Sequence, residues 1–226
     1  MTVGIVKPGP AASRAASGER STPGSAGRRD GRQRLLEGAL SLLAERGYAA
    51  MELRDVAERG HAPRGSIYHH FPGGKSQLAA AAAALEGERV RETIERSLAE
   101  RGLRETLLMF GELFRRRAAN HPDRIGCPVA AAALARPEDP ALAAAATAAF
   151  RSWEAAIVRA LRAEGVAPKQ AGPFAALVVS TIEGALVRTR AAGDHAPLDD
   201  AVAGLAQALD ALLAGVQSRR RTSRAR

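Results

Sequence analysis

An all-α fold follows from three observations on this chain of 226 residues. Apolar residues recur at helical spacing, as at Leu35, Leu36, Ala39, Leu40, Leu42 and Leu43. Long β-branched runs are absent, and the nearest strand candidate, Leu177-Val178-Val179, lies inside a helical period and is too short to overturn it. Breaks such as Asn120-His121-Pro122-Asp123, Arg136-Pro137-Glu138-Asp139 and Gly193-Asp194-His195-Ala196-Pro197 punctuate the periodic segments.

Residues 1–27 are rich in Gly, Pro, Ser, Ala and Arg without apolar periodicity and read as a disordered basic arm. Its arginines, with Arg28 and Arg29, suit a minor groove, although the same composition also suits a solvated tail. A helix is expected over Arg28 to Arg46, with Gly47 as its left-handed stop. Met51 to Arg59 reads as a short second helix with Leu53, Val56 and Ala57 on one face, and Gly60-His61-Ala62 as a tight turn. A third helix is expected from Pro63 to Phe71, since a proline at the first helical position sacrifices no hydrogen bond.

At about 100° per residue, Ile67 and Phe71 point inward together, Gly65 and His69 lie opposite Ile67, and Ser66 and Tyr68 take the flanks. The outward face is polar, aromatic and, at Gly65, bare, so a backbone can approach a groove, while Arg64 and Lys75 supply charge at either end. These are the features of a recognition helix. Residues 28–74 thus form a three-helix DNA-binding domain. An Ala-rich helix over 75–97 leads away from it, and further helices are expected near 103–119, 128–135, 140–164, 168–192 and 199–217. Together they make a C-terminal helical domain over 75–217, followed by a basic disordered tail at 218–226.

Gly47-Tyr48, Leu53-Arg54-Asp55-Val56-Ala57 and Gly65-Ser66-Ile67-Tyr68-His69-His70-Phe71 resemble the TetR family of transcriptional regulators. Ala62-Pro63-Arg64-Gly65-Ser66, Phe71-Pro72-Gly73-Gly74-Lys75 and, as a shorter match, Gly126-Cys127-Pro128-Val129-Ala130 look like its LmrA/YxaF branch. The resemblance implies a homodimer that binds a palindromic double-stranded DNA operator and lets go when a small molecule fills a pocket in the C-terminal domain. It implies a DNA-binding set of Arg54, Arg64, Gly65, Ser66, Tyr68, His69, His70 and Lys75. Two positions depart from the family pattern, which usually has Thr or Ser where Met51 stands and Gly where His61 stands. Met51 cannot cap a helix, so the second helix relies on the charge of Glu52 and no phosphate contact is assigned to position 51. The turn then strains either His61 or, in its place, Gly60.

The charge distribution agrees with this division. Residues 1–75 carry 12 Lys and Arg against 7 Asp and Glu, residues 76–217 carry 16 against 17, and residues 218–226 carry 5 against none. A basic module on a nearly neutral body fits phosphate binding at one end and other work at the other. The single cysteine excludes a disulfide framework and points to a reducing compartment. The first 27 residues lack a signal-peptide core, and no apolar run approaches 18 residues without a charge, so a cytoplasmic location without a membrane partner is expected.

In the body, Phe110, Phe114, Phe150, Trp153 and Phe174 fall among many alanines, which leaves irregular space suited to an apolar effector; each ring also reads as ordinary core. Glu183 and His121 are polar candidates near this region, with Glu183 expected at an interface or partly solvated. Cys127 reads as a small buried hydrophobe. The last two helices carry Ala175, Ala176, Gly184 and Ala185, then Ala201, Gly204, Ala208 and Ala211, small residues that permit close helix approach and, given the resemblance, a dimer interface.

Enzyme chemistry is not indicated. Gly74-Lys75-Ser76 looks like the end of a phosphate-binding loop, but His69 stands where that loop needs its first glycine. His69 and His70 diverge by about 100° on a helix and cannot share a metal. No cofactor motif appears. The alternative to a ligand-responsive regulator is an architectural DNA-binding protein that uses the basic ends without sequence preference.

Overall fold

A computed structural model of the chain describes residues 24–120 and 126–224. The expectation for His121 lies outside these residues. The helices are α1 (Gly24–Arg46), α2 (Leu53–Arg59), α3 (Ser66–His70), α4 (Gly74–Asn120), α5 (Pro128–Leu134), α6 (Pro140–Ala163), α7 (Pro168–Ala192) and α8 (Ala196–Arg224). The described residues contain no strand.

Both ends of the helical region differ from the sequence reading. The first helix begins at Gly24 within the expected arm, because once a helix is nucleated each added residue gains a hydrogen bond for the one residue it fixes. The last runs to Arg224 through residues expected to be a disordered tail. Arginine is a good helix former, and positive charge is favourable at a helix C-terminus.

The head is built by α1, α2 and α3 around Leu35, Leu36, Leu42, Leu43, Val56, Ile67 and Phe71, all buried. Met51 belongs to this core and is fully buried. Its side chain anchors the entry to α2 by packing, and Glu52 stands at the N-cap without a side-chain capping bond. The turn after α2 places the strain on His61 (φ 47°), whereas Gly60 adopts an ordinary φ of −82°. Gly60 answers a different need: a Cβ there would come within 2.5 Å of the Arg34 carbonyl oxygen, so α2 can lie on α1 only with glycine at this point.

The body packs α4 against α6, with α7 and α8 alongside. Gly87 lets the two helices meet, since an added Cβ would lie 2.6 Å from that of Ala149, and the Trp153 indole donates to the Gly87 carbonyl at 2.8 Å. Gly102 breaks α4 with φ 81° and ψ 179°, a backbone open to glycine almost alone. Beyond this break the chain turns its second half, with Leu107, toward Leu198, Val202 and Leu205 of α8.

Head and body share one continuous apolar core and a polar joint at Asp139. The Asp139 carboxylate caps α6 by accepting from the Leu142 N–H at 3.0 Å and accepts the Tyr48 hydroxyl at 2.9 Å. Hydrogen bonding from Ser76, the largest influence, holds its pKa below the usual carboxylate range. Burial, with the Asp139 partner, pushes the Tyr48 phenol up to about 12. Asp139→Ala is expected to cost at least about 2 kcal/mol, since it removes a cap and strands a half-buried hydroxyl. Thermal unfolding should show this as a fall of about 4–8 °C in Tm.

Candidate functional site

The recognition helix is shorter than the sequence reading. Pro63 to Gly65 form a turn in which the Ser66 N–H donates to the Pro63 carbonyl at 2.9 Å, and α3 proper begins at Ser66. The Ser66 hydroxyl donates back to the same carbonyl at 2.6 Å. Ile67 is buried against the head, as its phase requires. Arg64, Gly65, Tyr68 and His69 are exposed, with Tyr68 at 62%. A Cβ on Gly65 would meet nothing within 4 Å, so its bareness serves no neighbour within the described residues.

Two residues of the expected DNA-binding set are partly committed to the head itself. His70 turns toward α1, where a Cβ on Gly31 would meet its Nε2 at 3.4 Å. Burial, followed by the neighbouring His69 and Arg32, pushes its pKa below the ordinary histidine value. Lys75 donates from Nζ to the Ala49 carbonyl at 3.2 Å and lies 4.6 Å from the centre of the Tyr48 ring. It therefore pins the loop that also reaches Asp139. Arg54 is exposed on α2, with Nε 3.3 Å from Asp55 Oδ1.

In the body a cavity of about 110 Å³ opens between α4, α6 and α7. Phe110, Phe114, Trp153 and Phe174 line it. Phe150 does not: it packs edge-on against Trp153, with centroids 5.2 Å apart at 85°, and supports the ring that faces the cavity. Helical phase explains this, because residues three apart share a face without reaching equal depth.

The polar lining also differs from expectation. Glu183 lies in the cavity wall, where burial pushes its carboxyl up to about 7 against a hydrogen bond from Cys127. A signal for it was present in the sequence, because Val179, Glu183, Leu186 and Arg190 follow one helical stripe. Cys127 caps α5, its sulfur accepting the Ala130 N–H at 3.4 Å. Burial, then the Glu183 charge, raises the thiol well above its ordinary value, so a ready thiolate is disfavoured.

Comparison with known proteins follows this division into head and body. Residues 35–82 match the family of bacterial regulatory proteins of the tetR family, and residues 104–203 match the C-terminal domain of LmrA/YxaF-like transcriptional regulators. An uncharacterized HTH-type transcriptional regulator of Mycobacterium tuberculosis is 37% identical over 74% of this chain and 88% of its own length. The chain belongs to the TetR family of transcriptional regulators. YxaF of Bacillus subtilis is 32% identical over 76% of this chain and 91% of that protein. A TetR regulator from Chloroflexus aurantiacus is 30% identical, with a TM-score of 0.66 over 80% of this chain and 95% of that one.

As a TetR regulator the chain is a DNA-binding protein and not an enzyme. Its α7 and the Ala196–Arg219 part of α8 are long and apolar enough to cross a membrane by length and composition, a test that core helices of a globular protein also pass. A second cleft of about 470 Å³ lies between the end of α1, α5 and α7. Gly126, Cys127 and Glu183 border both spaces. Arg190, two turns beyond Glu183 on α7, donates to the Ala44 carbonyl at 2.9 Å and also to that of Glu45. The body thus holds the C-terminal end of a head helix by its free carbonyls.

The raised Glu183 carboxyl has a stability consequence. Between its ordinary 4.5 and about 7 the folded chain binds more proton than the unfolded one, so this group makes stability fall as pH rises through that window. Glu183→Gln should remove that slope. Melting curves at pH 5 and pH 8 should show the variant gaining relative to the parent at the higher pH; an equal difference at both would refute the assignment.

Proposed function

We propose that this TetR regulator is a repressor that binds a palindromic operator as a homodimer in the cytoplasm and is released by a small, largely apolar effector. The observation that carries the reading is the cavity walled by α7, the helix whose Arg190 grips the end of α1 in the head. A ligand that fits one arrangement of α4, α6 and α7 favours that arrangement and, through α1, changes the set of the recognition helices. Coupling of about 1–3 kcal/mol lowers operator affinity roughly 5–150-fold.

The dimer is supported by the outer face of α7 and α8. Within their most apolar windows only 22% and 28% of residues are buried. Leu177 and Val187 are 48% and 66% exposed, and a Cβ on Gly184 or Gly204 would meet nothing within 4 Å. Small residues that no neighbour requires, set among exposed aliphatics, suit a symmetric contact between copies. Val187→Asp is expected to yield monomers in light scattering and to abolish tight operator binding. A dimeric variant would exclude this face.

Two such heads place their α3 helices in successive major grooves about 34–36 Å apart. Arg64 is assigned to a base edge, Tyr68 and Lys75 to phosphates, and Arg54, Gly65, Ser66, His69 and His70 to the surrounding contact surface. Arg64→Ala should cost about 1–3 kcal/mol per half-site and relax base preference there. Selection from randomised operators checks this: an unchanged preference reassigns Arg64 to phosphate. An architectural protein would instead bind all duplexes alike, with no saturable preference for one palindrome.

A further inference from the structure

The cavity has a chemical character that its apolar walls do not suggest. Two carboxyl side chains, Glu86 from α4 and Glu183 from α7, share its lining, and no Lys, Arg or His joins them. Arg89 bonds Glu37 Oε1 at 2.5 Å and also acts on Glu86 by its charge, while Arg190, which borders the second cleft with Glu183, donates to the Ala44 carbonyl at 2.9 Å. The polar neighbour that acts on the Glu183 carboxyl is the Cys127 thiol, a weak donor set against an acceptor with about four lone-pair sites. In a lining shared with Ile157, Val178, Val179 and Phe174, a half-buried Glu183 carboxylate has few polar partners to offset the water it loses.

A bound molecule can supply what the chain does not. We propose that the effector is a compact apolar cation, an ammonium on an aryl or alkyl body, whose charged end meets Glu183 while its body lies among Phe110, Phe114, Trp153 and Phe174. The inference rests on the reading of this cavity as the effector site. Charge-assisted N–H donors would satisfy the carboxylate, and the ring faces attract a cation further. An anion of the same shape brings no donor to the Glu183 carboxyl and is repelled by it whenever it is ionised. A neutral one leaves the carboxyls as they are. The volume of about 110 Å³ suits an occupant no larger than a single ring with a short chain.

The chain carries one tryptophan, and Trp153 lines the cavity, so its emission reports occupancy directly. Full-length protein should be titrated with 2-phenylethylammonium, 2-phenylethanol and 3-phenylpropionate, which share a body and differ in the charge of the end group. The ammonium should bind at least about tenfold more tightly than the alcohol, with the carboxylate weakest. In Glu183→Gln, verified as folded by its circular dichroism and cooperative melting, the ammonium and alcohol affinities should converge to within about threefold. The parent's ranking stands as a test even where the variant does not fold.

Equal or tighter binding of the alcohol or the carboxylate by the parent overturns the charge selection and leaves the cavity as a ligand site. Unchanged Trp153 emission with all three probes overturns the cavity reading and this inference with it. Repeating the ammonium titration on operator-bound protein separates the two levels further: weaker binding there supports release by ligand, while equal affinity removes the coupling and leaves the charge selection standing.

Discussion

The arrangement of head and body depends on the hydrogen-bonded carboxylate of Asp139. It begins α6, receives the hydroxyl of Tyr48 from the loop after α1, and is held ionised by Ser76 in the first turn of α4. Three elements distant in sequence therefore meet at one buried anion. Apolar packing alone lets helices slide, because it is non-directional, whereas a carboxylate with several donors fixes position and angle. The shared core supplies the attraction between the two parts, and Asp139 sets their register.

A second connection, at Arg190, is of a different kind. A guanidinium on carbonyl oxygens at the end of α1 adds directional hydrogen bonds to a helix terminus that has unused acceptors. Since Glu183 and Arg190 lie on one stripe of α7, the cavity and the grip on α1 belong to a single rigid rod. Rotation of that rod by a small angle moves both. Asp139 and Arg190 together give the head two anchor points on the body, one near α6 and one on α7, so relative displacement of those helices appears as a tilt of the head.

Much of this was legible in the sequence where side-chain phase determines the outcome. Ile67 and Phe71 lie in the head core, and Arg64, Tyr68 and His69 lie outside it, as a period of 3.6 demands. Four of the five aromatic residues assigned to the cavity line it. The misses come from relations that periodicity does not encode. Depth separates Trp153 from Phe150 on a shared face. Of the two positions open to the strained turn, His61 and Gly60, the left-handed φ falls on His61, and close approach to the Arg34 carbonyl, a tertiary requirement, claims Gly60. Met51 looked like a lost cap and proved to be core. Glu183, a polar candidate expected at an interface or partly solvated, is half-buried and lines the cavity as well, a position that composition alone does not reveal.

The break at Gly102 gives the chain a position governed by backbone geometry alone. A Cβ there would meet nothing within 4 Å, so crowding places no limit on the residue. Its φ of 81° does. Side chains of every size, shape and polarity are therefore disfavoured to a similar degree, and chemical similarity between amino acids is no guide to tolerance. Across diverging descendants of this gene, position 102 should stay fixed while the sites beside it drift, an imprint left by a torsion angle and owed to neither DNA nor ligand.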